Sequence, residues 1–253
     1  MGFGDEIMAS GHARVESERL GGGKIHILGT NHRARNHEVW WDLPWIAVKD
    51  EKSVGSVHNA SGCRPYITYP FTIHTGCTYS GWRARDYMGA IYLRGYEVDH
   101  ARSLVGHLGQ FALVEPELKE GSNPNKQWGL LKWGRLTDML VKAMPVVQTL
   151  MPGKKALPGV IGIRCDTFRI AAAVLSLAHV LVLPEGGLHH AAAVLGKPAV
   201  VLFGGSPSPE YTGYPIHTNI AADKHCGAWL PCKHCAQFWD GLTPEYVYST
   251  IKV

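Results

Sequence analysis

No run of this 253-residue sequence is apolar for long enough to cross a membrane. The most hydrophobic stretch, Ile170 to Leu183, is interrupted by Ser176 and His179. It falls short of the roughly 20 residues a bilayer needs, so no transmembrane segment is expected. The first residues carry Asp5 and Glu6 rather than a basic stretch followed by an apolar one. That is not the pattern of a secretory signal, and a cytoplasmic protein is expected, free or at the inner face of the membrane. A disulfide framework is missing too: of six cysteines only Cys226, Cys232 and Cys235 lie together. There is no long basic run, and the net charge of +4 allows nucleotides, lipid phosphates or DNA as partners without requiring any of them. With 45% hydrophobic and 18% charged residues, the chain suits one large or two small soluble α/β domains.

What is present is organised around Ala178 to Gly205. Val180 to Leu183 is a short, partly β-branched apolar run stopped by Pro184, as expected of a strand covered on both faces. Gly186 and Gly187 then offer a turn with backbone free to take positive φ and approach a ligand, and Leu188 to Leu195 reads as an Ala-rich helix ended by Gly196. A second strand, Ala199 to Phe203, closes on Gly204 and Gly205. Such a strand, turn, helix, strand unit is half of a doubly wound sheet. Its ligands sit beyond the carboxyl ends of the strands, where a helix start turns free N–H groups toward an anion such as phosphate. Glu185, at the end of an apolar strand, must be solvated, paired or used. His189 and His190 crowd the same turn, where a packing role is the plainer reading of each.

The order E-G-G-L-H-H-A-A-A-V-L-G-K-P-A-V-V-L-F-G-G from Glu185 to Gly205 resembles the nucleotide-sugar loop of glycosyltransferase family 9, the heptosyltransferase-like enzymes. That family more often has Asp-Ser/Thr-Gly where this chain has Glu185, Gly186 and Gly187. Met1 to Ala9 is similar to the family's amino-terminal G-x-G-D turn, Asn123 to Trp133 to its interdomain Lys-x-Trp segment, and Cys226, Cys232 and Cys235 followed by Leu242-Thr243-Pro244-Glu245 to its closing element. The resemblance implies two Rossmann-like α/β domains facing across a cleft, the GT-B arrangement, with the amino-terminal domain reduced: 1–112 on the acceptor side and 113–253 binding the nucleotide-sugar. A first strand would normally precede the G-x-G-D turn, yet Gly2 follows the initiator Met directly.

By that resemblance Asp5 is the general base, although the same carboxylate also reads as the cap of a helix from Glu6 to about Arg14. Lys126 would approach the donor diphosphate, which a surface Lys would not. Backbone N–H groups of Gly187 and Leu188 would stabilise the leaving group, Glu185 would position donor hydroxyls, and His189, Thr212 and Gly213 would lie beside the donor. No metal cofactor is required in this reading, and the donor is a nucleotide-diphosphate sugar. The C-x5-C-x2-C group with neighbouring histidines has one spacing suited to a structural zinc. The acceptor implied is a lipopolysaccharide or other surface glycan, with a hydroxymethylated DNA base as the alternative. A nucleotide-sugar epimerase and a non-catalytic nucleotide-sugar-binding protein are further readings.

Elsewhere Lys24 to Leu28 reads as a strand, and the tryptophans at 40, 41 and 45 as core packing or an acceptor pocket. Helices are expected near Asp99 to Leu108, Trp133 to Ala143 and Arg169 to Leu177, the last capped by Asp166 or Thr167. Arg64, Arg83 and Arg85 read as a solvated face or as partners for an acidic acceptor.

Overall fold

The computed structural model describes residues 2–59, 67–72, 76–79, 83–117, 121–151 and 153–251. Cys63 and Arg64 lie outside them. The carboxyl-terminal part is built on β5 (Ala112–Val114), β6 (Val146–Leu150), β7 (Ile161–Arg164), β8 (Val180–Pro184), β9 (Val200–Leu202) and β10 (Thr218–Ile220). These strands are all parallel, in the order β10-β9-β8-β5-β6-β7. That is the doubly wound order, and its direction reverses between β5 and β8. Intervening helices are α3 (Leu130–Leu140), α4 (Phe168–Leu177), α5 (Gly187–Val194) and the short α6 (Pro209–Thr212), with α7 (Lys233–Gly241) and α8 (Pro244–Ser249) closing the chain.

Alternation along the central strands separates two cores. Leu113, Leu181, Leu183, Val201 and Phe203 face α4 and α2 (Gly95–Val105). Ala112, Val114, Val180, Val182 and Leu202 face Trp128, Trp133 and Trp239 on the other side. Every residue of β8 is buried, as the sequence expects of a strand sandwiched between layers, whereas the edge strand β7 buries only Ile163.

The first half is α1 (Phe3–Arg19), the parallel pair β1 (Ile25–Leu28) and β2 (Gly55–His58), and an antiparallel pair β3 (Ile67–Thr72) and β4 (Gly76–Tyr79). Helix α1 starts earlier than the sequence predicts because Gly2, not Asp5, is its cap. Asp5 is the third helical residue, and its Oδ2 accepts the Gly2 N–H at 3.0 Å. Trp40 and Trp45 are packing residues whose indole N–H groups donate to the backbone carbonyls of Glu6 and Ser10. Helix α1 lies on α5, where a Cβ on Gly4 would stand 2.5 Å from the His190 ring. Helix α2, within the half expected on the acceptor side, packs instead against α4 of the large sheet.

Candidate active site at the switch point

Strands β5 and β8 are neighbours, with Val114 opposite Val182; they end at Val114 and Pro184, and Glu115 and Glu185 follow directly. Beyond these ends lies a cavity of about 640 Å³. Three helices begin at its wall: α1 with Gly2 to Asp5, α4 with Thr167 and Phe168, and α5 with Gly186 to Leu188. Each turns its unsatisfied N–H groups and positive dipole end toward this region. At α5 the glycines act by size rather than by φ. Gly186 is extended, with φ 172°, and the predicted positive-φ turn does not form. At Gly187 a Cβ would stand 3.1 Å from both Phe3 and Phe168, whose rings stack at 4.1 Å.

Glu185 is 5% exposed and forms an ion pair with Lys126, reaching it from the turn before α3. Burial alone would raise this carboxyl, but the Lys126 ammonium and the neighbouring His190 overcome it and hold Glu185 far below the usual carboxylate range. Lys126 is aimed by its neighbours. Asn123 caps its turn, and the Asn125 side-chain amide donates to the carbonyls of Ala228 and Leu230 at 3.0 and 2.7 Å.

The two histidines have separate tasks. His189 is buried and held neutral by desolvation, with Nε2–H donating to the Thr212 carbonyl at 2.9 Å and Nδ1 accepting from the Gly186 N–H at 3.2 Å. It braces the turn from behind and does not line the cavity. Thr212 and Gly213 are behind the wall as well: Thr212 is fully buried, and a Cβ on Gly213 would meet the Pro209 carbonyl at 2.5 Å. His190, not His189, lines the cavity, with Nε2 3.8 Å from Glu185 Oε1. The Tyr214 hydroxyl, kept protonated by burial, shares a hydrogen bond with His190 Nδ1 at 2.8 Å.

The structure therefore brings Asp5, Lys126, Glu185, Gly186, Gly187 and Leu188 to one cavity and leaves His189, Thr212 and Gly213 outside it. Sequence reasoning missed Glu115 and Thr149, which also line it. The Thr149 hydroxyl donates to Glu115 Oε2 at 2.7 Å, and burial pushes the Glu115 carboxyl up to about 8. The signal that could have found Glu115 is its place directly after the apolar run that forms β5.

Among the described residues, two groups offer metal-ligand atoms within 4.8 Å of one another. In the first, Glu185 already carries Lys126, His189 is committed to Thr212 and Gly186, and His190 Nδ1 to Tyr214, so a cation there would meet an ammonium and spent donors. The second is Cys226, Cys232, His234 and Cys235, none of which lines the cavity.

No protein-family model and no curated protein matches the chain. Solved structures do. A family 9 glycosyl transferase from Veillonella parvula is similar over 87% of this chain and 83% of its own, with a TM-score of 0.62 at 12% identity. The iron-containing dodecameric glycosyltransferase TibC from enterotoxigenic E. coli is similar over 98% of this chain and 72% of its own, with a TM-score of 0.60 at 12% identity. ADP-heptose lps heptosyltransferase II of E. coli aligns with 64% of the chain at a TM-score of 0.48 and 19% identity, and the chain spans 52% of that protein. The α/β fold of this chain is thus the fold of family 9 glycosyltransferases.

Proposed function

We propose that the protein is an inverting glycosyltransferase that moves a sugar from a nucleotide-diphosphate donor to a hydroxyl acceptor on a surface glycan. The observation that carries this reading is the convergence of three helix N-termini and Lys126 on one cavity that also holds Asp5. Helix starts and an ammonium suit a diphosphate. The carboxylates between them suit the many O–H donors of ribose and sugar. Residues 1–112 supply the acceptor side and 113–253 the donor side.

In the reaction, Asp5 takes the proton of the acceptor hydroxyl as its oxygen attacks the anomeric carbon. The bond from that carbon to the diphosphate oxygen breaks on the opposite face, and configuration inverts. Negative charge growing on the departing diphosphate is met by Lys126 and by the N–H groups of Gly187 and Leu188, with no reorganisation required at that moment. Glu185, beside His190, forms hydrogen bonds with donor hydroxyls. The chemistry needs no metal at this point.

Thermal stability against a panel of nucleoside diphosphates and their sugars tests the donor site. ADP-linked sugars come first, since TibC has been crystallised with ADP-D-β-D-heptose. Ligand at about 100 times its Kd adds about 2.7 kcal/mol, which raises Tm by roughly 5–10 °C in a chain of this size. Absence of any shift across the panel overturns the donor reading. Asp5→Asn keeps an oxygen for the Gly2 N–H but cannot act as base. It is expected to abolish transfer while retaining the nucleotide shift, and retained turnover removes Asp5 from its role.

A further inference from the structure

Cys226, on the loop after β10, and Cys232, His234 and Cys235, at the start of α7, place their ligand atoms within 4.8 Å of one another. Cys226 Sγ is 3.4 Å from Cys235 Sγ and 3.8 Å from Cys232 Sγ. A disulfide holds its sulfurs about 2.05 Å apart. Sulfurs bound to one tetrahedral ion at roughly 2.3 Å stand about 3.8 Å from each other. The observed spacing is that of shared coordination. The imidazole points the same way, because both ring nitrogens of His234 are buried without a hydrogen bond, and the nearest carboxylate, Asp223, is 3.6 Å from Nε2. A buried polar atom left without a partner is costly, and a metal ion is a partner the ring can take.

The surrounding backbone keeps these four side chains together. The Cys235 N–H donates to Cys232 Sγ at 3.4 Å, and the Cys226 N–H donates to the Gly205 carbonyl at 2.8 Å. A Cβ on Gly205 would stand 2.8 Å from Cys226 Sγ and 2.9 Å from His234 Nδ1, so the loop can close over the cluster only with glycine there.

We propose that Cys226, Cys232, His234 and Cys235 bind one thiophilic metal ion, Zn²⁺ or Fe²⁺, in a tetrahedral site that fastens the wall of the donor cavity. Three thiolates and an imidazole suit either ion. The fastening runs through the loop between the ligands. Trp229 lines the cavity, the carbonyls of Ala228 and Leu230 accept from Asn123 and Asn125, and the Cys232 N–H donates to Asn125 Oδ1 at 3.1 Å. Lys126 is the next residue. The metal site stands independently of the proposed reaction; only its consequence for nucleotide binding rests on that reading.

The test is elemental analysis of the full chain purified under reducing conditions and reloaded with Zn²⁺ or Fe²⁺. One equivalent per chain is expected, and the ion that remains after competition between the two identifies the native metal. Cys226→Ser, at an exposed position, and His234→Ala are expected to weaken binding by more than the roughly 10–100-fold that outer-shell changes cost. Cys165→Ala, away from the cluster, keeps the full equivalent. Cobalt loaded in place of the native ion gives thiolate charge-transfer bands and the intense visible bands of a tetrahedral site. No stoichiometric metal after reloading, or equal metal in the two ligand variants, overturns the site. A metal-free chain that keeps its full thermal shift with nucleotide overturns the fastening role while leaving the site in place.

Discussion

Glu115 and Glu185 end adjacent strands of one sheet, yet their surroundings drive them in opposite directions. Glu185 is ionised because Lys126 sits on it, and its contribution to stability is complete above the ordinary carboxylate range and declines as pH falls below it. Among the described residues no such cation meets Glu115, and burial raises it from 4.5 to about 8. Between those values the unfolded chain releases a proton that the folded chain keeps. Folded stability therefore falls with rising pH, by up to about 1.4 kcal/mol per pH unit. Glu115→Gln keeps an acceptor for the Thr149 hydroxyl and removes that slope, so the variant is expected to be more stable than the parent at pH 8 and little changed at pH 5. Urea unfolding at the two pH values checks this, and an unchanged slope overturns it. The residues legible from sequence were those in distinctive local company: Lys126 beside Trp128, Glu185 before two glycines, Asp5 among glycines. His190 was misjudged in favour of His189 because adjacent helical residues point about 100° apart, and only the packing of Gly4 and Tyr214 decides which faces the cavity.

Helices α2 and α4 are joined by an ion pair removed from water. Arg169 is fully buried, its Nε and Nη2 donate to the two Glu97 oxygens at 2.6 and 2.7 Å, and its remaining donors reach the carbonyls of Glu38 and Tyr92. Glu97 also accepts the Arg94 N–H at the start of α2. Arg169→Met leaves a buried carboxylate uncompensated and is expected to cost about 3–5 kcal/mol. The double variant with Glu97→Gln recovers part of that loss, and a double-mutant cycle in urea separates the coupling. A single-variant cost below about 1 kcal/mol contradicts the arrangement. Among these elements, α4 was legible because Thr167 caps it with a side chain, accepting the Ile170 N–H. Helix α3 starts three residues before its predicted position. Its cap is Gly129 at φ 98°, which has no side chain to read, and Leu131 in its first turn is 92% exposed and so falls outside the apolar stripe.

At the scale of the whole molecule, the parallel sheet was legible at β8 and β9, short apolar runs bounded by turn formers, but not at β10, whose Thr218–Ile220 offers no apolar run to read. The first half was less so, since among the described residues β1 and β2 form a two-stranded sheet that depends on tertiary contacts. Those contacts reach across: Ile7, Ile25, Ile27 and Trp40 share a core with Ala172 of α4 and Ala191 of α5. Far-UV circular dichroism and tryptophan fluorescence are therefore expected to report one coincident thermal transition, with Trp40 and Trp45 in one half and Trp128, Trp133 and Trp239 in the other. Two separated transitions contradict this shared interior. The chain as a whole carries a net charge of +4, but among the described residues its cavity is lined by Asp5, Glu38, Glu115, Glu117, Asp166 and Glu185, with Lys126 as the ammonium that meets them. That ammonium already has a counter-ion. Under the proposed function an arriving diphosphate must compete with Glu185 for it, and a buried carboxylate deprived of its cation takes up a proton. Donor binding, so proposed, is an exchange of anions accompanied by proton uptake, and the heat of binding is expected to vary with the ionisation enthalpy of the buffer.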